Sequence, residues 1–186
     1  QAHLSLGFKT FSRFDNRRYA MRLLNNLLGE TMSSRLFHEI REKRGLAYYI
    51  GSDMWEFNDT GAQVAFAGLD KKRLDMAIKV ILTEYKKLTK SLVKKDELIR
   101  AKENIKGKTY LGLEDSFSIA EFLGEQELLK GEIIPPEKIL AELFKITSTD
   151  IRNLAKQVFT PENLHLTIIG PIKDQKKYEK LLENNL

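Results

Sequence analysis

The sequence predicts an α+β fold in which helices cover one face of a mostly antiparallel sheet. The chain has 186 residues, 42% of them hydrophobic, so it is long enough and apolar enough to bury a substantial core. Strand-like segments are few, and most of the helical segments follow one another without strands between them. Two strand-like segments, 47–57 and 63–69, flank the turn-forming residues Asn58-Asp-Thr-Gly61, which predicts an antiparallel hairpin.

The first strand and the first helix are predicted from different periodicities. Apolar and polar side chains alternate over residues 3–10, as they do in a half-buried strand. Leucines then recur at helical spacing over residues 16–28, between Asp15 as a capping residue and Gly29 as a terminator. The sequence therefore predicts a strand that is followed directly by a helix.

A second helix is expected to begin near Ser33 and to end at Gly45. The hydroxyl groups of Ser33 and Ser34 can accept hydrogen bonds from the free backbone N–H groups of a helix start. Gly45 can adopt the left-handed conformation that closes a helix. Residues 46–50 are apolar and aromatic, which indicates a strand directly after this turn.

The rest of the chain is predicted to be mainly helical. Residues 71–92 repeat apolar side chains at helical spacing and are expected to bury one stripe of them. The same reasoning predicts helices at 95–109, 116–129, 136–144 and 147–158, a strand at 164–170 and a helix at 173–182.

Composition restricts the classes of function. The absence of cysteine excludes a disulfide framework, a thiol nucleophile and thiolate metal ligands. No apolar run approaches the roughly 18 residues that a transmembrane helix needs, and no signal peptide precedes the first strand. We therefore expect no membrane partner and a cytoplasmic location. Because the chain begins with Gln1 rather than Met, we interpret it as a piece cut from a longer protein, or as a mature or engineered form.

The net charge of +5 comes from 31 basic and 26 acidic residues that are well mixed along the chain. The basic clusters Lys71-Lys-Arg73 and Lys94-Lys95 are interpreted as solvated helix surfaces, because no nucleic-acid-binding motif accompanies them. We expect no nucleic-acid partner, and a basic nucleic-acid-binding module is the weaker alternative.

The three histidines, His3, His38 and His165, are the first candidates for metal coordination. His38 is followed by a glutamate, as in a zinc-protease motif, but Glu42 stands where His-Glu-x-x-His requires its second histidine. The inverted order His-x-x-Glu-His is also absent. We therefore interpret all three as surface, interface or sheet-packing residues and expect no metal ligand in this chain.

Arg41 and Tyr48 are the remaining candidates for chemistry. They lie on the two sides of the predicted turn at Gly45, and both side chains can donate hydrogen bonds to a carbonyl or an oxyanion. Neither is a good general base near neutral pH, since their ordinary pKa values are above 12 for Arg and about 10 for Tyr. Spacing alone favours a surface arginine and a core aromatic, whereas a functional pair would stabilise negative charge.

Residues Leu27-Leu-Gly-Glu-Thr-Met-Ser-Ser-Arg-Leu-Phe-His-Glu-Ile-Arg-Glu-Lys-Arg-Gly-Leu-Ala-Tyr48 resemble the hallmark segment of the insulinase/pitrilysin family of zinc peptidases. The resemblance is to the second, metal-free half-domain of processing-peptidase-like members, and the element order extends it over essentially the whole chain. Glu30 and Thr31 replace two of the usual glycines, and His38 replaces the common glutamine.

The resemblance implies that residues 1–186 form a single C-terminal-type half-domain. Its partner is a zinc-bearing half, in the same chain or in a partner subunit, so zinc is a cofactor of that half and not of this chain. The two halves close around a peptide or an unfolded protein segment, where an Arg and a Tyr from the second half contact the substrate backbone and the developing oxyanion. By position in the motif these predicted catalytic residues are Arg41 and Tyr48.

Two readings of this resemblance stay open. In the first, the chain is inactive alone and helps a zinc-dependent endopeptidase to bind peptide and to stabilise its transition state. In the second, it is a catalytically silent scaffold or partner subunit of a peptidase heterodimer. A dimer is compatible with either reading.

Overall fold

The computed structural model describes residues 1–185 and confirms the predicted α+β class. Its strands are β1 (Ala2–Thr10), β2 (Ala47–Glu56), β3 (Gly61–Leu69) and β4 (Leu164–Ile169). Its α-helices are α1 (Arg18–Asn25), α2 (Leu74–Lys90), α3 (Lys95–Leu111), α4 (Ser116–Lys130), α5 (Pro136–Lys145), α6 (Ser148–Val158) and α7 (Gln175–Glu183). Shorter helical turns occupy Asn26–Glu30, Phe37–Glu42, Lys71–Arg73 and Pro161–Asn163.

The four strands form one antiparallel sheet in the order β2-β3-β1-β4. The first strand is central, and it pairs with β3 from Ala2 opposite Leu69 onward and with β4 on its other side. The predicted hairpin of β2 and β3 is confirmed. Because β1 and β2 begin at the end of the sheet where β3 and β4 finish, four chain segments meet there.

The core lies between one sheet face and the helices. Phe8 of β1, Tyr85 of α2 and Phe159 after α6 pack with ring centroids 4.6–4.8 Å apart. The predicted apolar stripe of α2 is confirmed, because each of its members is at most 1% exposed. Those members are Leu74, Ile78, Ile81, Leu82, Tyr85 and Leu88.

Three buried polar side chains, which we call the buried polar chain, are joined by hydrogen bonds within this core. The Tyr85 hydroxyl donates to Oε1 of Gln63 (2.7 Å), and Nε2 of Gln63 donates to Oδ1 of Asn25 (3.1 Å). All three residues are at most 4% exposed, and burial raises the pKa of the Tyr85 phenol. The chain of hydrogen bonds satisfies polar groups that would be costly to bury alone.

The first helix differs from its predicted boundaries at both ends. It begins at Arg18 rather than at residue 16, because the Asp15 carboxylate accepts from the backbone two residues later and stabilises a turn there. It does not end at Gly29 but continues as a π-helical turn to Glu30. Gly29 is packed against β2, where a Cβ atom would lie 2.6 Å from the backbone nitrogen of Ser52.

The helix α4 leaves several apolar side chains in solvent. Phe117 is 77% exposed and Leu128 is 85% exposed, whereas the polar Gln126 is buried. The amide of Gln126 bonds to both backbone groups of Ile134 (3.1 and 3.2 Å), which fixes the loop after the helix. Within residues 1–185, no helix is both long enough and apolar enough to cross a membrane.

Candidate functional site

Arg41 lies in a helical segment that is wider than an α-helix. Residues Phe37–Glu42 form a π-helical turn, after which the backbone N–H of Lys43 donates to the carbonyl of His38, five residues earlier (2.9 Å). Ile40 is completely buried and anchors the turn to the core. Single π-helical turns are rare in proteins, and a large share of those that occur lie at functional sites.

The predicted capping by Ser33 and Ser34 is wrong. The helical segment begins at Arg35, directly after Ser34, and the Ser33 hydroxyl lies 3.1 Å from the hydroxyl of Thr31 rather than on a backbone N–H group. The Ser34 hydroxyl is buried and has no hydrogen-bond partner among residues 1–185, while its backbone N–H donates to the carbonyl of Thr31 (3.1 Å). Backbone contacts of the preceding turn therefore take the place of the expected side-chain caps.

The guanidinium of Arg41 is available to a ligand. It is exposed and lies 5.3 Å from the centroid of the Phe37 ring, and no carboxylate of the described chain pairs with it. The neighbouring cations are occupied, because Glu39 accepts from Lys43 (2.6 Å) and from Arg44 (2.5 Å). Hydrogen bonds from these two cations lower the pKa of Glu39 to about 2. Arg41 thus keeps its charge uncompensated by this cluster.

Gly45 turns the chain between Arg41 and Tyr48 in the left-handed conformation that the sequence predicts. Its φ is +57°, and a Cβ atom there would meet no other atom within 4 Å. The position therefore needs glycine for its backbone conformation and not for space. Arg73, in the turn after β3, donates a hydrogen bond to the Gly45 carbonyl and holds the turn against the end of the hairpin.

Tyr48 is the extra residue of a β-bulge. Ala47 lies opposite Leu69 and Tyr49 lies opposite Gly68, so the residue between them has no partner on β3. Its side chain is 64% exposed, so it is not the core aromatic that spacing alone favours. Bulges redirect a side chain away from the regular alternation of a strand and are common next to active sites.

The neighbouring Tyr49 is fixed by three contacts on the sheet face that the core does not cover. Its ring covers Gly68, where a Cβ atom would approach it to 2.3 Å. Its hydroxyl lies 2.8 Å from Nδ1 of His3, and its ring centroid lies 6.4 Å from that of Phe66. The residue after the bulge is thus anchored, while the bulged Tyr48 has no hydrogen bond or ring contact with another residue of the described range 1–185.

The structure places Arg41 and Tyr48 on the surface, on opposite sides of one turn. No hydrogen bond or ring contact joins the two side chains in the part of the chain that the structure describes. Each side chain therefore presents hydrogen-bond donors that no described side chain occupies.

Residues 1–185 do not offer the ligands of a zinc site. His38 pairs with Glu42 one turn away (2.6 Å between Nδ1 and Oε2), and His165 is exposed on β4. Residues 1–185 contain no group of three or more His, Cys, Asp or Glu side chains that could hold a metal ion. The metal chemistry that the resemblance implies therefore has no ligands among the described residues.

The basic turn after β3 makes contacts near the candidate site that local sequence patterns do not predict. Residues 71–73 form an exposed helical turn, as predicted, and in addition Arg73 contacts Gly45 while Lys71 and Lys72 line a cavity with Tyr48. The predicted hairpin indicates this proximity of residues 71–73 to Gly45 and Tyr48, because antiparallel pairing brings the end of β3 beside the start of β2.

Comparison with known proteins gives a family for the chain. The family described as "Peptidase M16 inactive domain" matches residues 1–105, more than half of the chain. The chain belongs to the peptidase M16 family. An uncharacterized zinc protease of Streptomyces coelicolor is 38% identical over 175 residues, which are 94% of this chain and 38% of that protein. The uncharacterized zinc protease YmxG of Bacillus subtilis is 36% identical and matched over 92% of this chain and 42% of its own length.

Solved structures agree with the M16 assignment at the level of fold. A protease from Helicobacter pylori superposes with a TM-score of 0.84 at 23% identity, over 91% of this chain and 41% of that protein. This M16 inactive domain thus spans about two fifths of the length of the curated relatives that it matches. The segment matched by the family contains Arg41, Tyr48 and the basic turn, so the candidate site lies inside the shared region.

Proposed function

We propose that residues 1–186 are the non-zinc half-domain of a zinc-dependent endopeptidase, which closes over the zinc-bearing half. The zinc-bearing half, in the same chain or in a partner subunit, supplies the metal chemistry. This half-domain contributes Arg41 and Tyr48 as catalytic donors and is inactive alone. The observation that carries the proposal is the pair of exposed donors without described partners on the two sides of the Gly45 turn, in an M16 inactive domain.

Arg41 and Tyr48 would bind different oxygen atoms of the peptide substrate. The Arg41 guanidinium can donate two parallel hydrogen bonds to backbone carbonyl oxygens of a bound peptide. The Tyr48 phenol donates one hydrogen bond, which suits the oxygen on which negative charge develops. Closing of the two halves would exclude water and strengthen both interactions, since charges attract more strongly at a low dielectric constant. Peptides and unfolded protein segments are therefore the expected substrates.

Cleavage of a peptide by the assembled protein tests this proposal. The chain is combined with its zinc-bearing half, and kcat/KM is measured for wild type, Arg41→Ala and Tyr48→Phe. Loss of one oxyanion donor lowers the rate by about a hundredfold or more in comparable sites, so we expect Tyr48→Phe to lose at least that factor. Arg44→Ala and Tyr110→Phe are the controls, because they remove another exposed guanidinium and another exposed phenol.

A catalytically silent scaffold is the alternative outcome of the same experiment. Unchanged kcat/KM in both Arg41→Ala and Tyr48→Phe would contradict the catalytic role. If the half-domain were then still needed for cleavage, its contribution would be assembly with the zinc-bearing half.

A further inference from the structure

A cavity of about 390 Å³ opens beside Tyr48 at one end of the sheet. The topology creates it, because the starts of β1 and β2 meet there with the chain segments that follow β3 and β4. Its walls are formed by Gln1, Tyr48, Asp70, Lys71, Lys72 and Pro171.

The cavity is cationic. Lys71 and Lys72 are exposed, and neither ammonium group pairs with a carboxylate in the part of the chain that the structure describes. Asp70 is the acidic residue of the wall, and one of its carboxylate oxygens accepts from the backbone N–H of Lys72 (2.8 Å). The third cation of the turn, Arg73, is directed to the Gly45 carbonyl. Within the described residues, the wall thus carries two unpaired ammonium groups and one carboxylate that already caps the turn.

The walls of the cavity combine apolar surface with positive charge. The Tyr48 ring and Pro171 supply apolar surface, and the two lysines supply charge. Binding pockets commonly combine an apolar lining with a few polar groups that fix orientation. A glutamate or aspartate side chain matches this arrangement, since its methylene groups can contact the rings while its carboxylate reaches an ammonium group.

We propose that this cavity is a subsite for an acidic side chain of the peptide substrate, bound directly beside Tyr48. The proposal rests on the proposed function, because it requires a peptide that extends past the Tyr48 hydroxyl. The subsite would select substrates rather than hold them tightly, since exposed ion pairs change affinity by only about two- to fivefold. It would also disfavour a basic side chain at the same place, because like charges repel.

Paired fluorogenic peptides that differ by one Glu or Gln test the subsite in the protein assembled with its zinc-bearing half. The pair is varied over the positions on both sides of the cleaved bond, and the Glu/Gln ratio of kcat/KM is the readout. We expect a ratio of about two to five at one position in the wild type. The ratio should fall to about one in the double variant Lys71→Gln, Lys72→Gln. It should stay at the wild-type value in Lys94→Gln, Lys95→Gln, which removes another exposed lysine pair.

Charge reversal gives a second test that does not depend on loss of function. In Lys71→Glu, Lys72→Glu, a peptide with Lys at the sensitive position should become preferred over its Glu counterpart. A Glu/Gln ratio of one at every position in the wild type, or a ratio unchanged in the Lys71 and Lys72 double variants, would overturn the subsite. Failure of the proposed function is distinguishable, because it appears as unchanged cleavage of the Gln peptide in Arg41→Ala and Tyr48→Phe.

Discussion

The guanidinium of Arg73 donates a hydrogen bond to the carbonyl of Gly45, the residue that turns the chain between the two candidate catalytic side chains. The contact links the end of β3 to the turn before β2, 28 residues earlier in the sequence. It therefore connects the hairpin to the Gly45 turn, and we predict a positioning role for Arg73.

Arg73→Ala is expected to lower kcat/KM of the assembled peptidase while costing only about 1 kcal/mol of unfolding free energy, because the contact is a single exposed hydrogen bond. Arg73→Lys keeps one donor and should restore part of the activity. Peptide cleavage and thermal unfolding of the same samples measure the two effects. Full activity of Arg73→Ala would show that the turn holds its geometry without this contact.

Gly45→Ala should destabilise the chain by about 1–2 kcal/mol, because an L-residue with a side chain is strained in the left-handed conformation. Gly107→Ala is the matched control, since a Cβ atom there also meets no atom within 4 Å but the residue lies within the helix α3. We expect this control to be stabilising by about 0.5–1 kcal/mol, as alanine is a better helix former than glycine. Urea unfolding of both variants should give shifts of opposite sign, and shifts of the same sign would contradict the backbone argument.

The stability contributed by Glu39 should depend on pH in a defined direction. Its folded pKa of about 2 lies below the ordinary value of 4.5, so the contribution is fully present above about pH 4.5 and is lost as the pH falls toward 2. Glu39→Gln should thus cost about 1 kcal/mol near neutral pH, a value kept small because Lys43 and Arg44 are 51% and 40% exposed.

The measurement for this prediction is the unfolding free energy of wild type and Glu39→Gln between pH 2 and pH 7. The difference between them should shrink on acidification. Glu142→Gln removes one carboxylate of an exposed pair with Lys145 and serves as the comparison, with an expected effect near zero. A difference for Glu39→Gln that grows toward low pH would refute the assignment.

The buried polar chain should respond cooperatively to substitution. Tyr85→Phe leaves Oε1 of Gln63 without its donor in the core, which is expected to cost about 1–3 kcal/mol. Gln63→Leu removes a partner from both Tyr85 and Asn25 and should cost at least as much. In the double variant the two costs should not add, because the hydrogen bond that the single variants break is already absent. Additive costs in chemical denaturation would show that the two residues act independently.

Local sequence patterns were sufficient to predict the fold class, most helices and strands and the left-handed turn. These features depend on short-range properties: alternation for β1, helical spacing of the apolar stripe in α2, and the freedom of Gly45 to adopt positive φ. The helix ends were less predictable, because Gly29 is required by packing against Ser52 and not by chain termination. The resemblance carried by residues 27–48 predicted the metal-free half-domain of a zinc peptidase family, and the match to the peptidase M16 inactive domain confirms it.

The surroundings of the candidate site depend on contacts between distant parts of the folded chain. The bulge that exposes Tyr48 arises from its register against β3, and register depends on pairing between strands that sequence periodicity does not specify. The contact of Arg73 with Gly45 and the lysine-lined cavity beside Tyr48 join residues that are more than 20 positions apart. The local sequence is sufficient to identify Arg41 and Tyr48 as hydrogen-bond donors, but the long-range pairing of β2 with β3 determines which groups lie beside them.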